Sequence, residues 1–448
     1  MDIITRSILE LTPRFIERNE QYTKRWAYYK GNAYVESLVQ VDLRKAGKLK
    51  AMQEVYNCIT QAVDISTRFI MKRDLSVLCP EGKSEWEDIL VQEIWERSSF
   101  QKHKYKLART GANLGDTYLI VQELDEKPFA RIIVANSEDM ELFPNPHDQD
   151  ETEMARQSYN FYDREERKVK SWNKIWFKDR EEVYIDGKLI EEYSREHSFG
   201  EVPVIHIKHI DIGESYGLHT WHSIQAQMDA VNEIASYLWL ILQRYGEPTL
   251  IAKGPKKPEK IVRRDGNVIY VGMDGDLRIL EYVGNVLPQI IDFSKIVTEY
   301  IQNSLPELSL NKIRDLGNLS GYAVSMHLAD MVAKIEELRG NYADGIEYAN
   351  ALALKARLKS NAPIEEFQND IIYQPILPED EVTKWAVNRQ RLDLGIESKR
   401  SIMREEGYTE EEIETRFEEL RQELEQTLDV TYPNRIDEEF RKMGFGDE

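Results

Sequence analysis

GLHTWHSIQAQMDAVNEIASYLWLILQRYG (Gly217–Gly246) is the most regular stretch of the chain. Its apolar or small residues Trp221, Ile224, Met228, Val231, Ala235, Leu238, Leu242 and Tyr245 step by three and four. That spacing is the seam of a helix lying lengthwise on another helix. Ile234, Tyr237, Trp239, Leu240 and Ile241 widen the stripe toward its C-terminal half. A helix apolar on several faces needs more than one neighbour. The stretch therefore predicts a helix from Gly217 to Gly246 packed through Trp221, Ile224, Met228, Val231, Leu238 and Leu242.

Glu247-Pro248 ends that helix, and 247–284 reads as a small β-rich insert with turns at Asp265-Gly266 and Asp274-Gly275. The insert holds the one dense basic patch, Lys253, Lys256, Lys257, Lys260, Arg263 and Arg264. Helix returns at VLPQIIDFSKIVTEYIQNSL (Val286–Leu305), with Pro288 tolerated in its first turn. Pro306 opens a loop in which Gly317 and Gly321 free the backbone and Ser320 or Asn318 offers a helix cap. From Gly321 to about Ser360, apolar residues again step by three or four, from Val324 to Leu352. A helix that long reaches roughly 60 Å, with Gly340 and Gly345 as points where it can bend.

Residues 1 to 110 read mainly as helix, and Tyr56–Lys72 sets Ile59, Val63, Ser66 or Thr67, and Ile70 on one stripe. From Asp116 to His209 the pattern turns to strands: DTYLIVQ, ARIIVA, KIWFKD and EEVYIDGKLIEEY, with Asp186-Gly187 as a hairpin turn. The acid-rich HDQDETE (His147–Glu153) is expected to be an exposed loop. After Pro375 and Pro378 comes a separate charge-rich helical segment, where Thr409 and Glu412 can form a capping box.

A chain of 448 residues with 41% hydrophobic content can bury several cores. Its formal charge of −21 repels a phosphate backbone and argues against a module that grips DNA through a broad basic surface. With 2 cysteines, Cys58 and Cys79, it suits a reducing compartment. The opening MDIITRSILELTPRF lacks a signal-like apolar region, and YLWLIL (Tyr237–Leu242) is too short to span a bilayer. The expectation is a soluble intracellular product.

The sequence holds no G-x-x-x-x-G-K-[ST] phosphate loop and no G-x-G-x-x-G, H-E-x-x-H or C-x-x-C motif. His206, His209, His219 and His222 form two H-x-x-H pairs, a spacing compatible with zinc. Against zinc, His206 and His209 fall on a strand, where residues three apart point to opposite faces. His219 and His222 fall in the first turns of the expected helix. Half-buried structural histidines, with no metal and no cofactor, are the expectation.

The order of parts, and several local stretches, resemble the portal (head-to-tail connector) proteins of tailed double-stranded DNA bacteriophages, most closely the siphovirus type. AYYKGNA (Ala27–Ala33) is similar to the family's tyrosine-rich early segment. VYNCITQAVDISTRFIMK (Val55–Lys72) is similar to its Asn, then Val-Asp helix. GANLGDTYLIV (Gly111–Val121) resembles its helix-to-strand junction at Gly-Asp. GESYGLHTWHSIQAQMDAVNEIAS (Gly213–Ser236) and LSGYAVSMHLADMVAKI (Leu319–Ile335) resemble two helix openings. The likeness covers about residues 20 to 430.

The resemblance implies an α+β, mainly helical fold that assembles into a ring, usually of twelve subunits, around a DNA channel. It divides the chain into wing (1–212 and 320–375), stem helices (213–246 and 285–305), clip (247–284), tunnel loop (306–319) and crown (376–430), followed by a tail (431–448). Leu308, Leu310, Asn311, Lys312, Arg314, Leu316, Gly317, Asn318 and Ser320 would form the channel constriction. Lys253 to Arg264 would lie where partners dock. The implied partners are other copies of the chain, double-stranded DNA without sequence preference, the terminase large subunit, head-tail adaptors, and the capsid and scaffolding proteins. The implied location is the virion's portal vertex, with synthesis in the host cytoplasm, no membrane and no catalytic residues. Two other readings stand beside it: a carboxylate-rich, metal-dependent nucleic-acid-processing enzyme, and a generic helical scaffold or adaptor.

Overall fold

The structure is a computed structural model and describes residues 10–33, 56–246, 250–253, 276–279, 286–310, 321–377, 381–405 and 413–421. The chain forms two compact units, Met1–Ile376 and Leu377–Glu448.

The first unit opens with α1 (Pro13–Tyr29), where Pro13 sits in the first turn and Thr12 Oγ1 accepts from Phe15 N at 3.1 Å. α2 (Ile59–Ile70) buries Ile59, Val63, Ser66, Thr67 and Ile70, the stripe its sequence predicts. Arg339 closes its C-terminus by donating to the carbonyls of Phe69 (2.8 Å) and Ile70 (3.3 Å). Strand β1 (Ser76–Leu78) follows, and after further helical turns comes α3 (Phe100–Leu114). α3 ends on Gly115, whose φ of 91° only glycine adopts easily.

β2 (Asp116–Glu123) and β3 (Ala130–Val134) lead into β4 (Met140–Asn145), β5 (Asp148–Asp163), β6 (Lys168–Trp176) and β7 (Arg180–Ile185). The short β8 (Lys188–Leu189) and β9 (Arg195–Glu196) precede β10 (Val204–Lys208). β10, β2 and β3 make one antiparallel sheet, and β4 to β8 run in order in a second, with β9 paired to β7. The hairpin turns at Asp186-Gly187, both at positive φ. The acid-rich 147–153 departs from expectation, because most of it is the start of β5. The end of a strand needs no apolar alternation, and here Glu151 pairs with Lys178 in the turn between β6 and β7.

α4 (Gln225–Gly246) and α5 (Val286–Ser304) pack on each other. Between them β11 (Leu250–Lys253) pairs antiparallel with β12 (Asp276–Ile279). α6 (Gly321–His327) and α7 (Ala329–Leu358) replace the single long helix expected from 321, with a break at Leu328. α7 runs unbroken through Gly340 and Gly345, so neither marks an interruption. Gly345 is a close-packing position instead: a Cβ there would lie 2.4 Å from Ile207 Cγ1 on β10. β13 (Asp370–Ile372) pairs with β1 and closes the unit.

In the second unit, α8 (Glu381–Asp393) and α9 (Lys399–Glu405) are described, with a further helical stretch at 413–421. Ile402 and Ile413 are buried, and Arg400 lies over the Phe417 ring. The expected capping pair Thr409 and Glu412 falls outside the described residues. Among the described residues, no helix is long and apolar enough to cross a membrane.

Candidate channel, docking and junction residues

The helix expected from Gly217 begins at Gln225. Its lead-in is held as turns by contacts stronger than a helical start would offer. Leu218 bridges Ile210, and Thr220 N donates to Ala112 O at 3.0 Å. Gly217 and Gly115 meet backbone to backbone; a Cβ on Gly217 would come 2.4 Å from Gly115 O. Gly217 N also donates to Asp116 Oδ1 at 2.8 Å. Even so, Trp221, Ile224, Met228 and Val231 pack as expected. They share one core with Cys58, Ile59, Ala62, Val63, Ala112, Ile301, Leu305 and Leu308. Leu238 is half-buried, and the Leu242 side chain lies outside what is described.

Asp116 is the centre of the junction and is 1% exposed. Its carboxylate accepts from Tyr22 Oη at 2.5 Å, and His206 Nε2 lies 2.7 Å away. Burial, followed by the Asp116 charge, raises the Tyr22 pKa well above its ordinary value, so the phenol remains a donor. Sequence reading marked Gly-Asp as the helix-to-strand junction but did not assign Asp116 a role. A second signal lay in Tyr216-Gly217, a glycine placed so that its amide can reach a carboxylate.

The four histidines do not converge on one point, although the His219 and His222 rings lie edge to face at 6.2 Å. His206 stacks on Tyr118 at 4.6 Å beside Asp116. His209 lies between Tyr342 Oη (3.0 Å, at Nδ1) and Thr220 Oγ1 (2.7 Å, at Nε2). His219 rests on the Trp221 ring at 4.1 Å, and His222 Nδ1 is 2.9 Å from His219 O. His219 and His222 therefore sit in turns before the helix, which corrects their expected helical placement. Burial, with nearby cations adding to it, lowers the pKa of both His209 and His219 well below the ordinary imidazole value. Both rings are neutral at pH 7. Among the described residues, no group of three or more His, Cys, Asp or Glu is arranged to hold a metal ion.

The foot of the expected tunnel loop is fixed in the core. Pro306–Leu308 forms a 3-10 turn, and Leu308 is 2% exposed inside the Trp221 cluster. Leu308 therefore packs in the core of its own subunit, which corrects its expected role as a channel-facing residue. Leu310 is half-buried. Asn311, Lys312, Arg314, Leu316, Gly317, Asn318 and Ser320 lie outside the described residues, as do Lys256, Lys257, Lys260, Arg263 and Arg264. Lys253 ends β11.

Sequence reading missed Glu307, which is 0% exposed. Its Oε1 accepts from Ser66 Oγ at 2.9 Å and pairs with Lys334 Nζ at 2.8 Å. Oε2 is buried without a hydrogen-bond partner among the described residues. Lys334 also reaches Thr220 O at 3.4 Å. One cation on α7 thus ties the foot of the loop to the lead-in of α4. An acidic residue after Pro306, in a segment otherwise rich in leucine, was the available signal.

Residues 10–427 match the family model described as "Phage portal protein, SPP1 Gp6-like". The chain belongs to the phage portal protein family. Among curated proteins there is no match. Solved structures similar to this portal family member include "Virion of native gene transfer agent (GTA) particle", at 10% identity and a TM-score of 0.43, covering 80% of this chain and 95% of that one. Another is "Neck of native GTA particle computed with C12 symmetry", at 12% identity and a TM-score of 0.43, covering 79% and 88%. A third is "Neck of empty GTA particle computed with C6 symmetry", at 15% identity and a TM-score of 0.44, covering 80% and 89%. As a portal protein, the chain has the α+β, mainly helical fold of that family.

Proposed function

We propose that copies of this portal protein close into a ring, usually of twelve subunits, at one vertex of a virion, and that double-stranded DNA passes through its channel. The family match over residues 10–427 carries this reading. In it α4 and α5 are the stem, the insert between them is the clip, and the loop after Leu310 narrows the channel. Residues 1–212 and 320–375 are the wing and 376–430 the crown.

The ring is a conduit without catalysis of its own, and a separate terminase supplies the work. The basic residues of the insert, Lys253 to Arg264, meet the terminase and later the head-tail adaptors, while capsid and scaffolding proteins surround the wing. A charge of −21 on each subunit suits this role, because an acidic wall lets DNA slide without holding it.

Negative-stain images of the purified full chain test the proposal. Annular particles with a central hole, and a native mass that is an integral multiple of the chain, are expected. A compact monomer, or ATPase or nuclease turnover by the pure protein, would overturn it. The loop has its own test. Shortening Asn311–Asn318 should leave rings intact and impair packaging or DNA retention; normal packaging would remove that role.

A further inference from the structure

α4 and α5 are anchored at one end only. Met228, Val231 and Asn232 are buried on α4, and Ile301, Leu305 and Leu308 are buried at the end of α5 and just after it. Polar contacts pin the same end. The Asn232 side chain accepts from Tyr56 N and donates to Tyr56 O, both at 2.9 Å, much as a strand neighbour would. Just before it on α4, Asp229 accepts from Tyr28 Oη at 2.8 Å, near the end of α1. The turns leading into α4 are no freer, because Gly217 is fixed against Gly115 and Asp116. Past this base the burial stops. Among the described residues, no side chain of α4 after Ser236 is buried, and none of α5 before Ile301.

Tyr56 sets the two helices level. Its backbone meets Asn232, and its side chain hydrogen-bonds with Gln302. The start of α4 and the end of α5 root in the same core, so the helices run in opposite directions. One turn beyond Tyr56 therefore brings α4 to Ser236 and α5 to Thr298. Each hydroxyl there turns back onto its own helix. Ser236 Oγ donates to Asn232 O at 2.7 Å, and Thr298 Oγ1 donates to Ser294 O at 2.9 Å. A helical carbonyl shared with such a hydroxyl weakens the turn and favours bending. Back-bonds of this kind are ordinary, and Thr67 on α2 makes one to Val63 O. Here two fall at one level, on paired helices, where the buried core ends.

We infer that α4 and α5 flex together at the level of Ser236 and Thr298, on a base that moves with α1 and α2. Bending both helices at one level keeps them packed on each other, whereas bending one alone would shear the pair. The outer halves of the helices, and the insert between them, tilt without disturbing the Trp221 core or the Glu307–Lys334 pair. Such a hinge belongs to each copy of the chain and does not depend on ring formation.

Spin-label distances in the full-length chain test this, with labelled chains diluted in unlabelled ones so that only pairs within one copy are read. Cys58 and Cys79 are buried and stay unlabelled. Arg68→Cys on α2 carries one label, and the second sits either at Glu233→Cys on the base or at Asp292→Cys beyond the hinge; all three sites are exposed. The distance distribution from 68 to 292 should be broader than that from 68 to 233. Ser236→Ala combined with Thr298→Ala should narrow the first and leave the second alone. Ser294→Ala raises helix propensity one turn farther along without removing either back-bond, and should change neither. Equal widths for the two pairs would overturn the hinge. So would a width that the double variant leaves unchanged, or one that Ser294→Ala narrows as much. Because each distance lies within one copy, such a failure leaves the ring reading standing, and a monomeric chain would sink the ring reading without touching the hinge.

Discussion

The junction around Asp116 and Glu307 and the outer flank of α5 treat their side chains in opposite ways. At the junction, Asp116 collects a tyrosine, a histidine and a backbone amide, and Lys334 answers Glu307. The Trp221 cluster fills the space beside them. One copy of the chain supplies these partners itself, although Glu307 Oε2 is left without a hydrogen-bond partner among the described residues. On α5, Phe293, Ile296 and Tyr300 stand in water within one copy. The first region is packed within the chain, and the second is left exposed by it. Mutations should therefore separate into those that destabilise the fold and those that leave its stability unchanged.

The sharpest break of that comparison is Lys334→Met. It leaves the fully buried Glu307 carboxylate without its cation, which costs about 3–5 kcal/mol. Urea denaturation should show the loss. Adding Glu307→Leu should recover most of it, since replacing both partners with apolar groups is close to neutral. A single variant as stable as the parent would mean that the pair is not buried in solution. Gly345→Ala comes next. Its methyl would press into Ile207, and overpacking of this kind costs about 1–3 kcal/mol. Pairing it with Ile207→Val should return part of the stability, and no recovery would place the strain elsewhere.

How far the sequence foretold these regions depends on the range of the interactions. α2 was legible because its stripe is a local pattern, and the Asp186-Gly187 hairpin because two residues set its turn. The Trp221, Ile224, Met228 and Val231 packing residues were legible from spacing, yet the helix start was not. Gly217 to Ile224 is held by Gly115, Asp116, Ala112 and Ile210, and no local periodicity reports such distant partners. The same holds for Glu307, whose partners lie on α2 and α7. HDQDETE misled for a different reason: it is the polar start of a long strand, where Glu151 pairs with Lys178 in the turn after β6. The histidine pairs have the spacing of metal ligands, yet His206 and His209 turn to different partners, Asp116 and Tyr342, and only His219 and His222 stay together.

A third test uses acid. His209 and His219 are buried and neutral, with pKa values well below 6.5 in the folded chain and near 6.5 when unfolded. Below pH 6.5 the unfolded chain takes up protons that the folded chain refuses. Stability is therefore complete above that pH and falls as pH drops. The slope approaches about 1.4 kcal/mol per pH unit for each histidine. Urea midpoints at pH 7.5 and 5.5 should diverge, and His219→Phe should remove about one histidine's share of the slope. An unchanged slope would mean that His219 titrates freely and that the junction is open to water.

The smallest effect is expected on α5, and it is the one that defines the other side of the comparison. Phenylalanine and serine have similar helix propensities, so Phe293→Ser alters little within the helix itself. At 54% exposure the ring contributes little to the packing of its own subunit. Under dilute conditions where the chain is monomeric, its unfolding free energy should stay within about 0.5 kcal/mol of the parent. Trp221→Ala in the same assay should cost about 3–5 kcal/mol. If Phe293→Ser instead destabilised the monomer as strongly as Trp221→Ala, the row on α5 would belong to the subunit's own core, and its exposure would have to be covered by another part of the same chain.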